Sequence, residues 1–76
     1  MSELKRALNP MPEDVRSALV KHGLVEVYEA RPPHQRNDYL GWITHAKRED
    51  TRARRLRQMV DELEKGGVYM NMKWNG

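Results

Sequence analysis

Two consecutive prolines, Pro32 and Pro33, and the helical run behind them constrain this chain more than any other stretch. Pro33 disfavours the α conformation at Pro32, so whatever precedes the pair has to stop there. A proline also suits the first turn of a new helix, where its missing N–H would have had no partner. Beyond it, Tyr39, Leu40, Trp42, Ile43 and Ala46 recur at the spacing that lines one side of a helix. The sequence therefore predicts a central helix over residues 33–47, with Tyr39, Trp42 and Ile43 in the core. Gly41 inside it costs about 1 kcal/mol relative to alanine. It falls on the polar side of the wheel, where it is either a tolerated weak point or a place for a loop or ligand to approach the backbone.

With 76 residues and no cysteine, the chain has room for one domain and no disulfide or cysteine-ligated metal to staple it. Stability has to come from packing, or from packing plus a partner. No run approaches the ~20 apolar residues that span a bilayer, and the first ten residues do not read as a signal peptide. The expectation is a cytoplasmic protein.

The remaining elements fall on either side of the central helix. Residues 1–11 read as a flexible leader. A helix over 12–22 has Glu13 and Asp14 in its first turn and Lys21 and His22 in its last, as the helix dipole prefers. Gly23 suits the left-handed position after it, with Leu24 supplying the hydrophobic contact of such a cap. Residues 24–29 have strand-like composition but no convincing partner strand, so a short helix burying Leu24, Val27 and Tyr28 is expected. A final helix over 50–65, capped by Glu49 or Asp50, carries Ala53, Leu56, Met59, Val60 and Leu63 on one stripe and ends at Gly66-Gly67. Pairs four apart, Asp50 with Arg54 and Arg57 with Asp61, would support it. In residues 67–76, Val68, Met70, Met72 and Trp74 alternate with polar neighbours, the period of an extended segment. The fold class is all-α: a small bundle of three to four short helices over residues 12–66, with an extended C-terminal tail that folds back or docks on another molecule.

The charge is less evenly spread than the composition. Five arginines lie between Arg48 and Arg57 against two acids, and that local +3 equals the net charge of the whole protein. The helix dipole disfavours cations near an N-terminus, so something besides helix propensity put them there. At ~100° per residue, Arg52 falls inside the apolar sector while Arg54, Arg55 and Arg57 point outward. Arginine is seldom buried without a partner. Arg52 has two uses open to it. It can anchor the fold through a carboxylate or the exposed carbonyls ending the central helix, or form an anion pocket with Arg36 and Arg48.

Several chemistries are disfavoured. His34, Asp38 and His45 share the polar side of the central helix, but at ~1.5 Å per residue the two histidines stand too far apart to ligate one ion. There is no serine–histidine–acid arrangement and no glycine-rich phosphate loop. No enzyme, metal or cofactor is expected. For nucleic acid, the cluster has charge but lacks interleaved aromatics, and no helix-turn-helix spacing is convincing.

Tyr39-Leu40-Gly41-Trp42-Ile43, Ala46-Lys47-Arg48 and Thr51-Arg52-Ala53-Arg54-Arg55, after the proline pair, resemble the C-terminal helical module of the YdeI/OmpD-associated (bacteriocin-protection) family. In longer members this module follows a β-rich domain, which this sequence does not include. The resemblance implies an all-α fold and a loose association with tolerance to antimicrobial peptides and envelope stress, without an established biochemical mechanism or catalytic residues. The matching positions are Pro33, Tyr39, Trp42, Ile43, Ala46, Lys47, Thr51, Arg52 and Arg55.

The expected function is a non-enzymatic module that binds a protein or peptide partner. Its candidate surface is Lys47, Arg48, Thr51, Arg52, Arg54, Arg55 and Arg57, with the 68–74 segment as a second contact. A cationic antimicrobial peptide would be repelled by that face, so an acidic partner fits better. The alternative is a nucleic-acid or anionic-ligand binder using the same arginines, which would betray itself by steep salt sensitivity.

Overall fold

The computed structural model describes residues 9–73. The elements are α1 (Glu13–Lys21), α2 (Val25–Glu29), α3 (Pro33–Thr44), α4 (Glu49–Lys65), β1 (Val68–Tyr69) and β2 (Met72–Lys73). The chain is thus mostly helical with a small antiparallel hairpin near its C-terminus. Most of the expected leader, residues 1–8, and the end of the expected tail, Trp74 included, lie outside the described residues.

Local chemistry explains where the helices stop. After α1, Gly23 takes a left-handed φ of 66°. The Leu24 N–H then reaches back to the Leu19 carbonyl at 2.8 Å and the Gly23 N–H to Val20 at 3.1 Å, a Schellman closure. Leu24 is buried as part of it, while His22 stays exposed. Gly66, at φ 82°, ends α4 in the same left-handed way. The proline pair works as expected, with Pro32 extended at the cap and Pro33 first in α3.

Three helix details differ from expectation. α3 ends at Thr44 rather than residue 47. The Thr44 hydroxyl donates to the carbonyl of Leu40 at 2.8 Å, taking up helix-terminal acceptor capacity with a side chain. In α2, Val27 faces solvent while Val25 packs on the core beside Leu24 and Tyr28. At the start of α4 neither Glu49 nor Asp50 is the cap: Arg48 holds that position in extended conformation.

The core joins Val15 and Leu19 of α1, Leu24 and Tyr28, Tyr39, Leu40 and Ile43 of α3, and Met59, Val60 and Leu63 of α4. Trp42 is only half-buried at its edge. Gly41 is buried, and the nearest neighbour to a Cβ built there would be the Asn9 side chain at 3.0 Å. The Asn9 amide N–H donates to Asn37 Oδ1 at 2.7 Å, and its side-chain Nδ2 donates to the Asn37 carbonyl at 3.1 Å. A loop does approach the backbone at Gly41, then, and it is the segment leading into α1.

The C-terminal segment departs most from expectation. Instead of one extended run, it reverses at Met70 and Asn71, whose φ values of 51° and 64° are both left-handed. Tyr69 pairs with Met72 across the turn, the two-residue loop of a type I′ hairpin. Tyr69 and Met70 pack against the core, while Met72 is 60% exposed. The alternation read from the sequence does not put Val68, Met70 and Met72 on one face, because the chain turns between them.

Candidate functional site

α4 presents three different faces, and its arginines are divided among them. Arg52, on the apolar sector, reaches across to the start of α1. Its Nε and Nη2 donate to the two carboxylate oxygens of Asp14 at 3.0 and 3.1 Å. This bidentate geometry is the strong form of an Arg–carboxylate contact. The hydrogen bonds from Arg52 hold the Asp14 carboxyl below the usual range, outweighing the partial desolvation that would raise it.

Arg55 does what the helix wheel did not anticipate. It is half-buried rather than outward-pointing, and its Nη1 donates to the Trp42 carbonyl at 2.7 Å. Its guanidinium also lies 5.2 Å from the centre of the Trp42 ring, within cation–π reach. The last carbonyls of a helix lack intrahelical partners and carry partial negative charge. Arg55 supplies a fixed cation there because the N-terminal half of α4 lies against the end of α3. The two structural uses open to Arg52 are divided: Arg52 takes the carboxylate, and Arg55 takes the carbonyl.

Arg36, Arg48 and Arg52 do not share a partner. Arg36 Nε donates to the Arg31 carbonyl at 3.1 Å, and Arg48 binds Asp50, with Nη2 3.1 Å from Oδ2. Asp50 also accepts the Thr51 N–H at 2.7 Å. Asp50 therefore pairs with Arg48 rather than Arg54. Asp61 pairs with Lys65 at 3.1 Å rather than with Arg57. As a result, Arg54 and Arg57 stand exposed with no ion-pair partner among the described residues, as does Lys47.

A buried polar cluster went unread in the sequence. Among the described residues, Glu62, Arg31 and Gln35 are the buried polar ones, at 2%, 3% and 2% exposure. Glu62 accepts from the Tyr39 hydroxyl, from Gln58 Nε2 at 2.9 Å, and from the Met70 and Asn71 N–H groups at 2.8 Å each. Successive N–H groups in a left-handed turn form a concavity that binds an anion, and here the anion is the protein's own carboxylate. Burial pushes the Glu62 carboxyl up, but its four donors together hold it below the usual carboxylate range. Burial and the neighbouring carboxylate push the Tyr39 phenol up. Arg31 donates to Gln35 Oε1 at 3.1 Å, to the Glu62 carbonyl at 3.2 Å and to the Val68 carbonyl at 3.0 Å. A trace of it shows in the sequence: Arg55, Gln58 and Glu62 follow at helical spacing beside the apolar stripe, and Arg55 and Glu62 both bond to residues of α3.

Among the described residues no group of histidines and carboxylates is placed to hold a metal ion, and no helix is long and apolar enough to cross a membrane. A family model described as bacteriocin-protection, YdeI or OmpD-associated, matches residues 10–66, more than half of the chain. No curated protein and no solved structure matches.

Proposed function

The chain belongs to the YdeI or OmpD-associated bacteriocin-protection family, and on that premise we propose that it is a non-enzymatic interaction module binding an acidic protein or peptide through α4. One observation carries this reading: Arg54 and Arg57, one turn apart, are exposed and have no carboxylate partner among the described residues. The acids that could have neutralised them, Asp50 and Asp61, are taken by Arg48 and Lys65. Arg52 and Arg55 serve the fold, so the binding surface contracts from the whole arginine cluster to Lys47, Arg54 and Arg57, with Arg48 and Thr51 beside them. Direct capture of a cationic peptide is opposed by this charge. Protection therefore works through an acidic partner.

The test is a titration of a glutamate-rich peptide and of random-sequence duplex DNA against wild type and an Arg54→Glu/Arg57→Glu variant, with circular dichroism confirming both folds. Peptide binding lost in the variant, with no DNA binding, supports the reading. DNA binding whose affinity falls steeply with salt would instead identify a nucleic-acid binder.

A further inference from the structure

The hairpin after α4 is joined to the helices in a way that lets it move alone. α4 closes on itself before the hairpin begins, with the Gly66 N–H donating to the Glu62 carbonyl at 2.9 Å. The link beyond that bond is Gly66-Gly67, both exposed, with Gly66 at a φ of 82°. Glycine has the widest choice of backbone conformations, so this pair can re-aim the chain without unwinding the helix. The hairpin itself has only two residues in each strand, and an isolated two-stranded hairpin is marginal in water. None of residues 66–73 is buried.

A short set of contacts, all from the first half of the hairpin, holds it down. The Met70 and Asn71 N–H groups each take one oxygen of Glu62, at 2.8 Å. The Tyr69 hydroxyl donates to Asp38 Oδ2 at 2.8 Å, and its ring meets Tyr39 edge-on at 5.4 Å. Arg31 donates to the Val68 carbonyl at 3.0 Å, and Met70 rests half-buried against the core. The helices have partners of their own behind these contacts. Glu62 also accepts from Tyr39 and Gln58, and Arg31 also donates to Gln35 and to the Glu62 carbonyl. Lifting the hairpin breaks none of those bonds, and it lets water reach the carboxylate, so no charge is left buried and unmet.

We infer that residues 68–73 are a strap, hinged at Gly66-Gly67, which opens as one unit over intact helices and has the Glu62 carboxylate as its catch. The closed surface hides Glu62. The open one displays that carboxylate with Tyr39 and Arg31 beside it, and turns the Tyr69 and Met70 side chains out to solvent. The strap thus governs whether the cluster can be reached, whatever Arg54 and Arg57 bind.

Amide hydrogen exchange in the whole chain, followed residue by residue, is the test. The Met70 and Asn71 amides should be protected by a common factor, smaller than that at Ile43 in α3 and Leu63 in α4. Urea below the unfolding midpoint should hardly change the first pair, because a local opening exposes little surface, while it speeds the second pair steeply. Tyr69→Phe removes the Asp38 pin without touching a bond within the helices. It should speed exchange at Met70 and Asn71 about tenfold and leave Ile43 and Leu63 unchanged. Glu62→Gln should raise the rate at Met70 and Asn71 by a larger factor than at Ile43 and Leu63. Equal protection and equal urea dependence at all four amides would mean that the hairpin leaves only when the whole chain unfolds. Unprotected Met70 and Asn71 amides in wild type would mean that Glu62 catches nothing. Either result overturns the inference, as does a Tyr69→Phe effect of the same size at all four positions.

Discussion

Tyr39 of α3 donates its phenolic hydrogen to Glu62 of α4, and both side chains are sealed from solvent. A buried carboxylate is tolerable only when its lone pairs are met by donors. Glu62 has four, drawn from three elements: Tyr39, its own helix neighbour Gln58, and the two turn amides of the hairpin. The bond is thus a fastening between the helices and the C-terminal turn at once.

Tyr39→Phe keeps the ring and removes only that donor. The carboxylate is then left buried and short of one hydrogen bond, which costs about 1–3 kcal/mol. Urea denaturation should show the midpoint falling with little change in slope. A midpoint equal to wild type would mean that Glu62 does not depend on Tyr39.

The same carboxylate makes stability depend on pH. Its folded pKa lies below the ordinary value, so the unfolded chain, at ~4.3, takes up the proton first. The stabilisation is complete above the unfolded value and is lost as pH falls through about 4 toward the folded one. Asp14 adds a contribution of the same sign through Arg52. Because Asp14 is retained in Glu62→Gln, comparing the two proteins isolates Glu62. Wild type should lose stability more steeply than Glu62→Gln between about pH 5 and 3, and parallel curves would contradict the assignment.

How much of this was legible depends on the range of the interactions. The Gly23 closure, the Pro32–Pro33 break and the α4 stripe are set by neighbours within a turn, and the residue pattern predicts them. The hairpin is not local in that sense. Met70 gives no turn signal, and a left-handed conformation costs a non-glycine residue roughly 1–2 kcal/mol. Its φ of 51° is held where Glu62, from another element, accepts both turn amides. Arg55 departs from its place on the helix wheel for a related reason. A helix wheel shows which residues share a face but not that the end of α3 lies against one of them. Of the arginine cluster, the unusual density was visible, but its division between fold and surface required partners distant in sequence.

Arg55 and Arg54 therefore differ sharply in what they do for stability, despite being adjacent. Arg55→Ala removes the cap on the Trp42 carbonyl and the cation over the ring, an expected loss of about 1–2 kcal/mol. Arg55→Lys should recover only part, because an ammonium lacks the planar fork. Arg54→Ala, at an exposed position, should stay within about 0.5 kcal/mol of wild type. Equal thermal midpoints for the Arg55 and Arg54 alanine variants would put Arg55 back on the surface.

Gly41 offers the most direct check on how the segment before α1 is seated. Alanine in a helix interior normally gains about 1 kcal/mol over glycine. Here the added Cβ would meet Asn9 Nδ2 at 3.0 Å, and that atom is tied to the Asn37 carbonyl and side chain at 3.1 and 3.0 Å. It cannot swing away without breaking those bonds, so Gly41→Ala should bring no gain or a net loss. Asn9→Ala empties the space while giving up the two side-chain bonds to Asn37 and keeping the backbone one. Added to that background, Gly41→Ala should recover the stabilisation of about 1 kcal/mol that the helix denies it in wild type. The double-mutant cycle reads this as a coupling between positions 9 and 41. Additive effects, or a full gain from Gly41→Ala alone, would show that Asn9 does not lie over the glycine in solution.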